Sequence, residues 1–489
     1  MKCQSPPSSP PQPDPAAIRY RTERAEYWDA VARQQDSWRG WGSAYHQRLK
    51  GVYQFLVLPG QNILEVGCGR GDLLAALEPR RGIGVDFSQE MIQRAAVSHP
   101  ELQFIHADAH DLSGVVGTFD VIILSDIVND LWDVQAAFEQ LAYLSTPRTR
   151  IVINFYSRLW ELPLRLAQKI GLATHNLEQN WLTAEDIQDL LDLANFEVVH
   201  RWTEILWPLP LPGLAWFFNR FLIRLWPFQF FAWTNFIIAR PQPRNTPTAS
   251  EPAVSIIIPA RNEAGNIAAI FERMPRMGSE VELIFVEGHS RDDTFAVIEK
   301  AIRDHPGQHA KLIKQTGVGK ADAVRLGFEQ ASGDILMILD ADLTVSLEDL
   351  PRFYAALVSG KGELINGVRL VYPMEQQAMR WLNFLGNKAF SLAFSWLLGQ
   401  PIKDTLCGTK ALWMSDYKRI AAGRVYFGDF DPFGDYDLLF GAAKANLKIL
   451  DLPIRYRERT YGATNIHRWR HGWLLLKMVW FAAVRLKFV

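Results

Sequence analysis

Between Gly333 and Thr344 the chain reads Gly-Asp-Ile-Leu-Met-Ile-Leu-Asp-Ala-Asp-Leu-Thr, and few folds accommodate such a stretch. Ile335 to Leu339 is an unbroken apolar run, short for a helix and bounded by turn residues, which predicts a strand buried on both faces of a parallel sheet. The run leads straight into Asp340 and Asp342, separated by one small residue. Open α/β sheets bind ligands beyond the carboxyl ends of their strands, so both acids are expected at a ligand site. Two hard oxygen donors there suit Mg2+ or Mn2+ bridging phosphate oxygens, an arrangement that neutralises a diphosphate leaving group.

At 489 residues the chain exceeds one ordinary core, and two or three domains are expected. It is 48% hydrophobic and 21% charged, the composition of a folded protein, and its net charge of -1 argues against a nucleic-acid binder. Cys3, Cys68 and Cys407 are widely spaced with no ligand pattern, which points to a reduced, cytosolic setting rather than a disulfide framework. No signal peptide is expected, because the Pro/Ser-rich start has no apolar core. No uncharged run reaches the roughly 18 residues of a membrane span. Ile205–Asn219 and Leu225–Ala239 come close but are broken by prolines, Arg220 and Arg224, so lipid contact is expected without a transmembrane helix.

Residues 1–17 read as a disordered tail. Helical patterns follow at Glu23–Arg33 and Ala44–Leu56, and then Ile63-Leu64-Glu65-Val66-Gly67-Cys68-Gly69-Arg70-Gly71 gives a strand and a glycine turn leading into a helix. Glycines let a nucleotide-type ligand approach the backbone, and Glu65 stands where a carboxylate would meet a cationic group. A second strand ends in Asp86, the position that binds ribose hydroxyls. A third, Leu102–Ala107, leads to Asp108, Ala109 and His110, and a fourth, Phe119–Leu124, leads to Ser125 and Asp126.

This pattern resembles the class I S-adenosylmethionine-dependent methyltransferases over roughly residues 20–242. The resemblance implies that Gly67, Gly69 and Gly71 lie under the methionine part of S-adenosyl-L-methionine. It also implies that Asp86 takes the ribose, Phe87 and Met91 flank the adenine, and Asp108 with Ala109 meets its edge. Methyl transfer needs positioning and sometimes a base, for which His110 and Asp126 are the candidates. A domain over 18–242 is expected, with an aromatic insert at 205–230 that is either an interdomain packing element or an interfacial helix dipping into a bilayer. A Pro-rich linker at 243–252 follows.

Val254–Ile258 begins a new strand and a new domain, 253–465. A strand ending in Glu287, the Gly319-Lys320 helix start and the Asp340/Asp342 pair put acids and a lysine along one sheet edge, as a metal-bound nucleotide diphosphate requires. The domain resembles the inverting family 2 glycosyltransferases, and within them the polyprenyl-phosphate mannose or glucose synthases. The resemblance implies that Pro259, Ala260, Arg261, Asn262 and Glu263 line the nucleoside, that Glu287 meets the base, and that Asp340 and Asp342 handle ribose, diphosphate and metal. Thr344 replaces the Gln usual in lipid-phosphate synthases, and the second acid usual after Glu287 is missing. Arg369, Arg380, Asp435 and Asp437 would line the acceptor side, with Asn387 on the same long helix (Met374–Leu398) as Arg380. Asp404 would be either a general base or an orienting group, and Arg459 would clamp the diphosphate, although these arginines also suit a solvated basic face. Residues 466–489 read as a basic amphipathic helix, resting on a membrane or packed on the domain.

The expected protein is α/β, with two Rossmann-like domains: a class I methyltransferase fold followed by a GT-A nucleotide-diphospho-sugar transferase fold. The expected activity moves a sugar from its nucleotide diphosphate to a lipid phosphate or other membrane glycan precursor. It would use Mg2+ or Mn2+ at the cytoplasmic face of a membrane, alongside an S-adenosylmethionine-dependent methyltransferase. The alternative is a soluble or glycan acceptor, with the first domain a non-catalytic S-adenosylmethionine-binding module.

Overall fold

In the computed structural model, the residues described are 15–34, 41–170, 177–209, 211, 213–243, 251–369, 371, 381–427, 436–456, 461 and 468–489. The chain divides into two compact units, Met1–Gln242 and Pro243–Val489.

The first unit is built on strands β1 (Asn62–Val66), β2 (Arg81–Asp86), β3 (Gln103–His106), β4 (Phe119–Ser125), β5 (Ser145–Tyr156), β6 (Phe196–Glu204) and β7 (Thr234–Pro241). They form one sheet in the order β3-β2-β1-β4-β5-β7-β6. β7 alone runs against its neighbours β5 and β6. β1, β4 and β5 carry Ile, Leu and Val on both faces because helices cover both, and two apolar cores sit on the two sides. The chain order reverses between β1 and β4, and the ligand crevice of a parallel sheet opens at that switch point. The first helix begins at Pro15, so residues 15–17, expected in the tail, are helical.

The second unit uses β8 (Val254–Ala260), β9 (Val281–Glu287), β10 (His309–Lys314), β11 (Ile335–Ile338), β12 (Leu364–Val368), β13 (Lys410–Trp413) and β14 (Ile449–Pro453). Their order is β10-β9-β8-β11-β13-β12-β14, with β13 antiparallel between β11 and β12. β11 is completely buried, and Asp340 and Asp342 leave its carboxyl end as the sequence requires. The helix Trp381–Leu398 packs against the C-terminal helix Arg468–Ala482, whose Leu475, Met478 and Ala482 lie in the core. Trp473, Leu476 and Trp480 stand exposed on the opposite side, so this helix is packed on its domain along one face and apolar on another.

Candidate active sites

In the first unit, Gly67, Gly69 and Gly71 all adopt positive φ (75°, 52° and 74°), the left-handed backbone that lets β1 turn sharply into the helix Asp72–Ala76. That helix has five residues, so its dipole contributes little, and the turn's own N–H groups dominate. A side chain added at Gly69 would meet nothing within 4 Å, so open space lies over the turn. Asp86 closes the turn from β2: one oxygen accepts the Gly69 N–H at 2.8 Å, the other the Ser88 N–H at 2.9 Å. Burial raises the Asp86 carboxyl, and these two amide bonds oppose the shift. Phe87 is half-buried, and Met91 and Ala109 are buried.

Glu65 is the outlier. It is 3% exposed, its Oε2 has no hydrogen-bond partner, and burial pushes its carboxyl up to about 8. A buried carboxyl with an unpaired oxygen, on the strand that leads into the glycine turn, fits a ligand that brings a positive charge.

His110 does not fit the role of base. Its Nδ1 is bonded to Asp108 and its Nε2 accepts the Asp133 N–H at 3.1 Å, so both ring nitrogens are spent on fixing the loop after β3. Burial would raise Asp108, but its bonds to His110 and the nearby Arg21 guanidinium (3.2 Å) hold it below the usual range. Asp126, at φ 56° beyond β4, keeps its candidacy. Tyr45 donates to both of its oxygens (2.9 and 3.0 Å), Asn154 donates at 2.6 Å, and burial pushes the carboxyl up to about 7. Tyr53 donates to Asn154 at 2.7 Å and completes the chain of bonds. Tyr45 and Asn154 carry no motif, and sequence reasoning missed them because only the fold joins them to Asp126.

In the second unit the loops leaving β8, β9, β10, β11 and β12 converge. Pro259 is half-buried, Ala260 is buried and accepts the Gly288 N–H at 2.9 Å, and Arg261 is exposed. Glu263 accepts from Asn266 at 2.7 Å, and its N–H donates to Thr294 at 2.9 Å. Glu287 is buried at the end of β9 and accepts the Ser290 N–H at 2.5 Å. Tyr461 donates to Asp292 at 3.4 Å and its ring covers Gly265, where any side chain would collide with it.

Lys320 Nζ lies 2.6 Å from Asp340 Oδ1. Burial would raise Asp340, but Lys320 first, then Arg369 and Lys410, hold it below the usual carboxylate range. Gly408 is pressed so close to this pair that a side chain there would run into both Asp340 and Lys320. Asp342 accepts the Thr344 N–H at 3.1 Å and its hydroxyl at 2.8 Å, through a turn in which Leu343 adopts φ 52°. A leucine held in that region is a local cost met at the site. Among the described residues no group of three metal-ligating side chains forms. Two carboxylates nevertheless match Mg2+ chemistry, where a site of one or two acids leaves the remaining positions to phosphate and water.

Asp404 is locked. It is fully buried and accepts from Arg369 Nε (2.7 Å), Arg369 Nη2 (2.9 Å), the Arg369 N–H (3.1 Å), Asn387 (3.1 Å) and the Leu406 N–H (3.0 Å). Burial would raise it, but Arg369 prevails and holds it low. A carboxylate so committed orients Arg369, and the general-base alternative loses its footing. Arg369 also stacks over Tyr456, 5.1 Å from the ring centre. Asp437 pairs with Arg424 (2.9 Å) and Arg325 (3.4 Å), the latter on the helix that Lys320 opens. Lys410, fully buried on β13 and bonded to the Cys407 carbonyl at 2.5 Å, was missed, although a lysine inside an apolar strand is itself a signal. Arg380, Asp435 and Arg459 lie outside the described residues.

Residues 41–201 match the family model described as Methyltransferase domain, and residues 255–418 that of Glycosyl transferase family 2. The chain is 29% identical over 226 residues to Glycosyltransferase AglJ of Haloferax volcanii, covering 46% of this chain and 69% of that protein. It is 32% identical over 218 residues to Dolichol-phosphate mannosyltransferase of Pyrococcus furiosus, covering 44% of this chain and 59% of the relative. Among solved structures, magnesium protoporphyrin IX methyltransferase from Synechocystis with bound SAH is similar at 17% identity and TM-score 0.34, over 46% of this chain and 100% of that one. The chain therefore carries a methyltransferase domain of class I fold followed by a family 2 glycosyltransferase domain of GT-A fold.

Proposed function

We propose that the second domain transfers a sugar, with inversion, from a nucleotide-diphospho-sugar to a lipid phosphate of polyprenyl type at the cytoplasmic face of a membrane. The observation that carries this reading is the locked Asp404. A sugar hydroxyl needs a base to remove its proton, whereas a phosphate is already an anion at neutral pH and attacks without one. The name of the Pyrococcus furiosus relative, a dolichol-phosphate mannosyltransferase, supports the same acceptor class.

Arg369, fixed by Asp404 and Tyr456, attracts the anionic acceptor. Lys320, 2.6 Å from Asp340, would turn to the donor phosphates. Asp340 and Asp342 would hold Mg2+ or Mn2+, which offsets the charge of the departing diphosphate. Pro259 to Glu263 and Glu287 would form the nucleoside end. Arg459 is assigned to the diphosphate, and Arg380, Asp435 and Asp437 to the acceptor side.

In the first domain, Glu65 would meet the cationic part of S-adenosyl-L-methionine, the glycine turn its methionine, Asp86 its ribose, and Phe87, Met91, Asp108 and Ala109 its adenine. When bound, that cofactor would supply an already activated methyl group to the acceptor, and Asp126 would take the acceptor's proton.

Radiolabel supplied in a panel of nucleotide sugars with Mn2+ tests the sugar transfer. Label entering an organic phase that contains polyprenyl phosphate, and lost in Asp342→Ala, supports the reading. Label confined to water with every donor, on glycan or small-molecule acceptors, sinks the lipid-phosphate assignment.

A further inference from the structure

The methyltransferase half carries an apolar surface that its chemistry leaves unused. β5 ends at Tyr156, β6 ends at Glu204, and antiparallel β7 starts at Thr234, paired with both residues. Ser125 at the end of β4 pairs with Asn154, so all these ends share the sheet edge that bears Asp126 and the glycine turn. Two segments rise from that edge, 157–170 and 205–233. Trp160 joins them: its indole N–H donates to the Phe231 and Ala232 carbonyls (3.2 and 3.1 Å), and its ring packs on Trp233 at 4.6 Å.

The sequence offers this insert as an interdomain packing element or an interfacial helix, and its own domain leaves its large side chains bare. Trp226 is 76% exposed and Leu162 75%, with Leu166, Trp216, Phe230 and Phe231 also exposed. Soluble proteins rarely leave so many large apolar side chains together in water. The segment is nevertheless well fixed from below. Asn219 accepts the Leu206 and Trp207 N–H groups (2.8 and 2.7 Å) and donates to the Trp207 carbonyl at 2.7 Å, and Arg224 is bonded to buried Glu204.

Charge identifies the occupant. Ile205 to Trp233 contains no acidic residue, and of its two arginines Arg224 is paired with buried Glu204 while Arg220 lies half-buried over Trp216. In 157–170 the acid Glu161 is paired with Arg165 at 3.0 Å, while Arg158 and Lys169 are exposed beside it. Tryptophan and phenylalanine with arginine and lysine at the rim match the boundary between acyl chains and anionic headgroups. Among the described residues no helix is long and apolar enough to cross a membrane, so the face suits lying on a bilayer.

We propose that this face seats the methyltransferase half on an anionic lipid bilayer, and that the methyl acceptor is an amphiphile presented to the Asp126 edge by that bilayer. The proposal rests on the methyltransferase assignment of the first domain and is independent of the sugar acceptor of the second.

The test uses the full chain with Cys3 replaced by serine, since Cys68 and Cys407 are buried. An environment-sensitive fluorophore is placed at Trp226→Cys, Phe230→Cys or, as the control, exposed Val97→Cys. With vesicles of phosphatidylcholine and phosphatidylglycerol, labels at 226 and 230 should shift to the blue and be quenched by nitroxide lipids, while the label at 97 should not. Labels at 226 and 230 that behave like the one at 97, even if the chain sediments with vesicles, overturn the docking. A blue shift that grows with protein concentration without lipid also overturns it, in favour of a second copy. For the acceptor, tritiated methyl from S-adenosylmethionine should enter the chloroform-soluble part of membranes. That label should drop about tenfold in Trp226→Ser/Phe230→Ser, with cofactor binding unchanged. Absence of label from the chloroform-soluble fraction overturns the amphiphile assignment.

Discussion

Glu65 is a buried carboxyl waiting for a charge. Held at about 8, well above its free value, it keeps a proton in the folded chain that the unfolded chain has released, so it lowers stability progressively as pH rises from its free value to about 8. Glu65→Gln removes that dependence. Without ligand the variant should gain on the parent by up to about 1.4 kcal/mol for each pH unit in that window. It should also bind S-adenosylmethionine more weakly; thermal unfolding at several pH values and calorimetric titration would check both effects. Asp404 is the opposite kind of acid, fully paired and held low. Asp404→Asn strands Arg369 in the core and should cost about 3–5 kcal/mol, whereas Asp404→Leu/Arg369→Met should recover most of the stability but no sugar transfer. If Asp404→Asn keeps full stability and loses only turnover, Asp404 is a base after all. Denaturant unfolding beside the transfer assay separates these outcomes.

At the scale of elements, the start of the helix Ala184–Leu193 was written in local sequence. Thr183 and Asp186 form a reciprocal capping box, a local signal written in four consecutive positions. The insert was not, because its conformation depends on Asn219 reaching back thirteen residues to the Leu206 N–H. Asn219→Ala leaves two backbone donors and one acceptor with no partner, a local loss of about 1–3 kcal/mol. Amide exchange over 206–219 should then quicken about tenfold or more while the rest of the sheet keeps its protection. Uniformly faster exchange across the domain would mean that Asn219 supports the whole fold. The C-terminal helix shows why amphipathicity was hard to read: it buries Leu475 and Met478 and exposes Trp473 and Trp480, so apolar residues lie on both sides.

For the molecule as a whole, two compact units with separate cores should melt separately. Scanning calorimetry should resolve two transitions. S-adenosylmethionine at a hundred times its Kd should stabilise one of them by about 2.7 kcal/mol, and nucleotide diphosphate with Mn2+ the other. A single transition moved by both ligands would mean that the halves fold as one cooperative body. By itself the sequence determined several buried strands, the glycine turn and the acids at strand ends, because buried strands demand continuous apolar runs and left-handed backbone costs glycine least. It also determined that the sheets are α/β, since apolar runs alternate with helical periodicity. Only the tertiary structure decided which of the acids are available. Asp404 and His110 looked like bases until Arg369, thirty-five residues from Asp404, and Asp133, twenty-three from His110, were found to occupy them. Tyr45, eighty-one residues from Asp126, is likewise a partner that only the fold supplies, although there it holds the candidate base in place rather than removing it. Hydrogen-bond commitment is a property of spatial neighbours, and sequence periodicity reports only which face of an element is buried, not what it meets there.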